Sequence, residues 1–325
     1  GWGAGRRRMR TAGLARVGRL RQLWCMPNLS VAQLGGLMVP AVSTFTPSGE
    51  LDGAAFQRNL DAHLAFGMDG VLVGGSSGES ALLENDDRRQ LLAWARERIP
   101  QDKWLIAGIG SESTRLTIQR ARDACEAGAD AVLVISPHYF LKRMTERALL
   151  AHFHSVADAS PLPVLLYNMP AYSHIVLSPA FVHEMAQHPN VIGMKDSAGN
   201  IPVLQQYLEA QGDQFKVITG SGGTVVPALT AGVSGAILAI ALYAGPAVRR
   251  MVDTFRAGDH GAAAAMQSTL TPLATDIAGA MGPAGIKAAM DLVGLHGGPT
   301  RAPLLPVSAE ELETVRERLA GAGLL

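Results

Sequence analysis

The 325-residue sequence holds five lysines, Lys103, Lys142, Lys195, Lys216 and Lys287, and one of them stands apart. Lys195 follows the apolar run Val191-Ile192-Gly193-Met194, so it projects from the end of a buried strand. An isolated ammonium there is costly, and such surroundings favour the neutral amine. A neutral lysine is what a Schiff-base nucleophile requires. The other reading is a buried ion pair with a carboxylate from a neighbouring strand, and spacing alone leaves both open. The remaining four lysines have solvated homes before strands or on helices and loops. Tyr167 ends the preceding apolar run, Pro163–Tyr167, much as Lys195 ends its own. Adjacent parallel strands lie ~4.8 Å apart, so the phenol can reach the amine. It can then move protons during carbinolamine formation and C–C bond making, or simply pack at a rim. A third segment, Gly74-Gly75-Ser76-Ser77-Gly78-Glu79, follows the run Gly70–Val73. Its backbone N–H groups and two hydroxyls can hold a carboxylate or a phosphate as a nest does; the plain alternative is a tight turn.

The elements that must position these groups repeat. Short runs rich in Val, Ile and Leu recur at Met38–Val42, Gly70–Val73, Trp104–Gly108, Ala131–Ile135, Pro163–Tyr167, Val191–Met194, Phe215–Thr219 and Gly235–Ile240. They lack polar alternation, as expected of parallel strands covered on both faces. Helix-period segments separate them: Ala54–Phe66, Asp86–Arg98, Thr114–Ala127, Thr145–Asp158, Ser178–Gln187, Ile201–Glu209 and Thr224–Thr230. Repeated βαβ units of about 30 residues predict an α/β fold, a (β/α)8 TIM barrel. A doubly wound sheet is the alternative, weakened because no GxGxxG follows the first strand. Pro246–Ala257, Gly261–Ala278, Gly285–Leu292 and Ala309–Ala320 read as additional C-terminal helices packed beside the barrel. Chemistry in such barrels sits where strands end. That rule gathers Ser76 and Ser77, Ser136-Pro137-His138-Tyr139, Tyr167-Asn168, Lys195-Asp196, Gly220-Ser221-Gly222 and Ile237.

Composition excludes several classes. Apolar residues make up 48% and charged residues 17%, which rules out a disordered chain. The formal net charge is zero, which gives no nucleic-acid footprint. No apolar run reaches the ~18 residues of a membrane helix. Two distant cysteines, Cys25 and Cys125, make neither a disulfide framework nor a zinc spacing, and suit a reducing compartment such as the cytoplasm. Residues 1–34 read as a separate extension, with the catalytic domain spanning 35–325. Arg6, Arg7, Arg8, Arg10, Arg16, Arg19 and Arg21 crowd its acid-free start. That start reads as a disordered tail or upstream sequence, or as a transit peptide to the mitochondrial matrix.

Gly75-Ser76-Ser77-Gly78-Glu79, Tyr167-Asn168-x-Pro170 and Gly193-Met194-Lys195-Asp196 together resemble the dihydrodipicolinate synthase / N-acetylneuraminate lyase family. The resemblance runs from about Gly35 to Leu325. It implies a barrel with C-terminal helices, a homotetramer built as a dimer of dimers, and pyruvate bound as a Schiff base, with neither metal nor separate cofactor. It assigns Lys195 as the Schiff-base lysine and Tyr167 as the proton-transferring phenol. Ser76 and Ser77 match hydroxyls that relay protons and bind the pyruvate carboxylate, beside Gly75. Tyr139 matches a catalytic tyrosine that reaches a neighbouring subunit's site, and Ile237 a residue whose carbonyl faces the substrate. Gly220, Ser221 and Tyr172 fall at substrate-contacting positions.

Departures from the pattern bear on the substrate. In the synthase of lysine biosynthesis an arginine stands where this chain has Tyr172, acidic residues stand near Ser221-Gly222, and an aromatic residue replaces His138 in the lysine-binding site. The stretches from Ala157 to Val164, from His188 to Ser197 and from Gly297 to Leu304 resemble 4-hydroxy-2-oxoglutarate aldolase-like members instead, though the last lies away from the strand ends. The expectation is therefore an aldolase acting on 4-hydroxy-2-oxoglutarate or a 2-keto-3-deoxy sugar acid, with pyruvate and a small aldehyde or 2-oxo acid as partners. The synthase reaction with aspartate semialdehyde is the alternative. A catalytically silent binding protein on the same barrel is the remaining one.

Overall fold

Eight parallel strands close into a barrel in chain order, each paired with the next and the last with the first. The computed structural model describes residues 29–325. The strands are β1 (Gly36–Pro40), β2 (Gly70–Val73), β3 (Trp104–Gly108), β4 (Ala131–Ile135), β5 (Val164–Asn168), β6 (Val191–Asp196), β7 (Lys216–Thr219) and β8 (Gly235–Ile237). Nearly every strand residue is buried because side chains alternate between the barrel interior and the helical layer. Leu37, Val39, Val71, Leu105 and Val132 pack outward against helices, while Met38, Leu72, Ile106, Leu133, Leu165 and Ile218 fill the barrel.

The surrounding helices are α1 (Gly53–Ala65), α2 (Asn85–Arg98), α3 (Thr114–Glu126), α4 (Glu146–Ala159), the single turn α5 (Pro170–Ser173), α6 (Pro179–Met185), α7 (Ile201–Leu208) and α8 (Val225–Ala231). Side-chain caps start many of them: Asp52, Ser113, Thr145, Ser178 and Asn200 each accept from a backbone N–H three residues on. Beyond β8 come α9 (Ala241–Arg256), α10 (His260–Pro272), a π-helical stretch (Leu273–Gly279), α11 (Gly282–Leu292) and α12 (Ala309–Gly321). Two of these differ from the sequence reading. The helix expected to open at Pro246 opens at Ala241 and kinks at Ala244, because a proline inside a helix removes a donor and crowds the preceding turn. The single helix expected over Gly261–Ala278 changes to π geometry directly after Pro272.

Residues 29–34 belong to the folded body rather than to an extension. Leu34 is buried under the barrel, and Trp104 donates its indole N–H to the Gln33 carbonyl at 3.0 Å. The Arg-rich stretch through Arg21 lies outside the described residues. Cys125 is disulfide-bonded, where the cysteine count suggested no such framework; Cys25 lies outside the described residues. Among the described residues no helix is long and apolar enough to cross a membrane.

At the C-terminal end of the barrel, β2 and β3 exit in close backbone contact. A Cβ added to Gly108 would lie 2.7 Å from the Gly74 carbonyl carbon, and Gly74 itself sits at φ +71°, where other residues are strained. Gly108→Ala is expected to destabilise the fold by about 1–3 kcal/mol, the usual cost of overpacking a rigid site. A lowered urea midpoint with an unchanged slope would register it; an unchanged midpoint would show that the two loops can part.

Candidate active site

Tyr167 and Lys195 are register partners at the exits of β5 and β6. Both side chains point into the barrel mouth, with Lys195 Nζ 4.7 Å from the centre of the tyrosine ring. Both are buried. Their neighbours Asn168 and Asp196 point the other way, into the helical layer, as strand alternation requires. There the Asn168 amide donates to Asp196 Oδ1 at 2.7 Å, Asn168 Oδ1 accepts from the Leu177 N–H, and the Tyr207 hydroxyl donates to the Leu177 carbonyl at 2.5 Å. Burial pushes the Asp196 carboxyl up from its ordinary value, and the Asn168 hydrogen bond opposes this in part. Asp196 is thus engaged away from Lys195, and among the described residues no ion pair involves Lys195. The buried lysine that does sit in an ion pair is Lys287, expected in solvent and found 1% exposed, with Glu79 at 2.6 Å.

Ser76 and Ser77 form a 3₁₀ turn across the mouth from β6. The turn's own hydrogen bonds use the N–H groups of Gly78 and Glu79, which bond the carbonyls of Gly75 and Ser76. The N–H groups of Ser76 and Ser77 stay outside those bonds. Ser43 anchors the turn from β1's exit, its hydroxyl donating to the Gly78 carbonyl at 2.7 Å. Gly75 lies behind the turn, where a Cβ would come within 2.9 Å of Leu72. A cavity of about 540 Å³ is lined by Ser76, Ser77, Tyr167, Lys195, Tyr172, Gly220, Ser221 and Ile237, so it gathers most of the residues picked out by position. Tyr139 stays out of it: the side chain is 77% exposed and packs edge-on against Phe140.

Other lining residues escaped the strand-exit rule. Ser197 and Gly199 stand just past β6, and Thr271, Ala274, Thr275 and Ala278 come from α10 and the π-helical stretch. Pro283 and Ile286 come from α11. A π turn inside a helix often marks a functional wall, but no residue type announces one. Lys195 is the one Lys, Arg, Asp or Glu side chain lining the cavity among the described residues. Burial raises the Tyr172 phenol above its ordinary value, with nearby Tyr167 adding to the effect, so Tyr172 faces the cavity uncharged. Among the described residues no three His, Cys, Asp or Glu side chains cluster as a metal site.

A family model described as the dihydrodipicolinate synthetase family matches residues 33–322. The chain belongs to that family. Two relatives in this dihydrodipicolinate synthetase family are named 4-hydroxy-tetrahydrodipicolinate synthase. The one from Stenotrophomonas maltophilia (strain R551-3) is 37% identical over 276 residues, covering 85% of this chain and 92% of its own. The one from Symbiobacterium thermophilum is 34% identical over 295 residues, covering 90% and 99%. Among solved structures, dihydrodipicolinate synthase from Bacillus anthracis superposes with a TM-score of 0.84 at 28% identity, covering 88% of this chain and 97% of its own. A prophage protein of Escherichia coli K12 in the same family, solved in complex with pyruvate, gives 0.83 at 28% identity, covering 90% and 99%. The relatives from Stenotrophomonas maltophilia, Symbiobacterium thermophilum and Bacillus anthracis carry a synthase name rather than that of the 4-hydroxy-2-oxoglutarate aldolase. Members of the family are lyases, and this chain is an enzyme of that kind.

The fold leaves little room around the lysine. A Cβ at Gly220 would fall 2.5 Å from Lys195 Cε and against the Ser197 hydroxyl. Gly220→Ala should therefore leave a folded protein whose Lys195 is pushed off line. The expected result is a loss of turnover of about 10²-fold, as for a misplacement near 1 Å, with little change in melting temperature. Unchanged turnover would mean that the lysine stem swings freely.

Proposed function

We propose that this chain joins pyruvate to, or releases it from, an aldehyde through an imine on Lys195. The observation that supports it is the pairing of Tyr167 with Lys195 in one cavity with the Ser76-Ser77 turn. The Lys195 amine attacks the C2 ketone of a 2-oxo acid. The carbinolamine then loses water and leaves a protonated imine. That imine is an electron sink, so the C3–C4 bond can break to give an enamine and an aldehyde, with the C4 hydroxyl proton leaving to a base. Protonation of the enamine at C3 and hydrolysis of the imine release pyruvate. Tyr167, with Ser76, is placed to carry these protons. The Ser76 and Ser77 hydroxyls and N–H groups suit the substrate's first carboxylate.

The names of the relatives favour aspartate semialdehyde as the aldehyde, which is the synthase reaction, over 4-hydroxy-2-oxoglutarate. One observation favours a second reading. The cavity offers no fixed cation besides Lys195 among the described residues, and Tyr172 gives a neutral hydroxyl where a second carboxylate would need a bidentate partner. Hydroxyls of Ser197, Ser221, Thr224 and Tyr172 suit a hydroxylated tail, as in a 2-keto-3-deoxy sugar acid. We also propose a homotetramer, in which Tyr139 of one subunit serves its neighbour's site.

Borohydride reduction with pyruvate should add the mass of a reduced adduct to the peptide holding Lys195, and Lys195→Arg should abolish both adduct and turnover. An adduct on another lysine overturns the proposal. Tyr167→Phe should keep the adduct while slowing turnover about 10²–10⁴-fold, the usual loss of a general acid–base. For the aldehyde, side-by-side kinetics decide. The neutral cavity predicts kcat/KM for a hydroxylated 2-oxo acid at least tenfold above that for semialdehyde condensation, or ~1.4 kcal/mol. A faster semialdehyde reaction establishes the synthase reading instead.

A further inference from the structure

Among the described residues Lys287 is one of the largest fully buried side chains, and it stands on α11 rather than on a strand. Its ammonium lies 2.6 Å from Glu79 Oε1, donates to the Pro299 carbonyl at 2.7 Å, and sits 4.5 Å above the Phe45 ring. Burial pulls that ammonium below its ordinary value, while Glu79 pulls the other way. Glu79 is buried too, and it follows the Ser76-Ser77-Gly78 turn directly. Its backbone is left-handed, at φ 57° and ψ 39°. A non-glycine residue there is strained, and such strain persists only where the surroundings hold it.

The surroundings here come from the C-terminal part of the chain. Glu79 Oε2 accepts from the Arg301 N–H at 2.8 Å. Arg301 stacks on the other side of the same contact region, 4.4 Å from the Phe45 ring, and bonds the carbonyls of Gly49 and Leu82. Gly297 lies so close to the Lys287 backbone that a Cβ there would meet it. Asn59 clamps His296 through both its N–H and its carbonyl, at 3.0 and 2.6 Å. The segment 296–301 is thus a strap fixed at several points, and it holds the one carboxylate that follows the serine turn.

The helix that carries Lys287 also carries Pro283 and Ile286, which line the catalytic cavity. One ion pair therefore spans two walls of the site: the Ser76-Ser77 turn on one side and α11 on the other. A lone buried carboxylate or ammonium would be costly, so each partner fixes the other. We infer that Lys287, through Glu79, is a positioning residue that sets the serine turn for the carboxylate of a 2-oxo acid bound at Lys195. This rests on the reading of Lys195 as the imine-forming residue.

The test uses the full chain and pyruvate as the probe. Removing one charge alone can unfold the protein by leaving the other unpaired, so the main variant is the double one, Glu79→Gln with Lys287→Met, which leaves a neutral pair of similar volume. A conservative variant, Lys287→Arg, keeps the cation. Each is followed by circular dichroism, melting temperature and borohydride trapping against pyruvate concentration. The double variant should melt cooperatively yet need about tenfold or more pyruvate for half-maximal trapping, the loss of binding shared by ground and transition states. The maximal trapping rate should fall less than that. Lys287→Arg should recover part of the affinity. A folded double variant with the pyruvate dependence of the wild type overturns the inference, since the pair would then serve stability alone. So does the failure of every Lys287 variant to fold. If the wild type itself forms no trapped adduct on Lys195, the reading on which the inference rests falls, and the inference with it.

Discussion

The chemistry of this barrel hangs on one residue of slippage between β5 and β6. Val164 pairs with Val191, but Leu165 pairs with Gly193, so β6 carries one more residue than β5 over that step. A bulge of this kind reverses which face later side chains occupy. Ile192 faces the barrel interior, and strict alternation from it would send Met194 inward and Lys195 out among the helices. After the slip Met194 packs outward and Lys195 turns in, opposite Tyr167. Gly193 suits the place, since a Cβ there would press on the Lys216 carbonyl and approach Leu34 within 3.3 Å. Closure of the barrel then removes any freedom to re-register, because every strand has two neighbours.

That dependence explains what the sequence makes legible. Parallel strands buried on both faces read as unbroken apolar runs, which is why β2, β3 and β4 have the bounds those runs predict. The ends of strands carry the polar residues, so Lys195, Tyr167, Ser76 and Ser77 stand out at once. The face on which Lys195 emerges does not, because it depends on a bulge that no single residue encodes. The burial of Lys287 is hidden for a related reason. On a helix an isolated lysine looks solvated, and only the path of the strap 296–301 brings Glu79 and the Pro299 carbonyl around it. The Gly297–Leu304 stretch, remote from strand ends in sequence, thereby reaches the serine turn through Arg301. The π-helical wall was illegible because its residues, such as Ala274 and Ala278, belong equally well in an ordinary helix.

The site is thus assembled from two layers. The half that holds Lys195 and Tyr167 comes from strand exits locked by backbone pairing and by the Asn168, Asp196 and Tyr207 network behind them. The wall facing it comes from α10, the π-helical stretch and α11. Small residues on that wall leave space beyond Lys195, and none of them brings a charge. A substrate with a second carboxylate would have to give up water there for neutral hydroxyls, an exchange that stabilises far less than a bidentate cation. Membership of the family accounts for the barrel itself, a fold the chain shares with a protein named dihydrodipicolinate synthase. A shared fold does not by itself fix the aldehyde, which is left to the chemistry of the residues that line the cavity beyond Lys195.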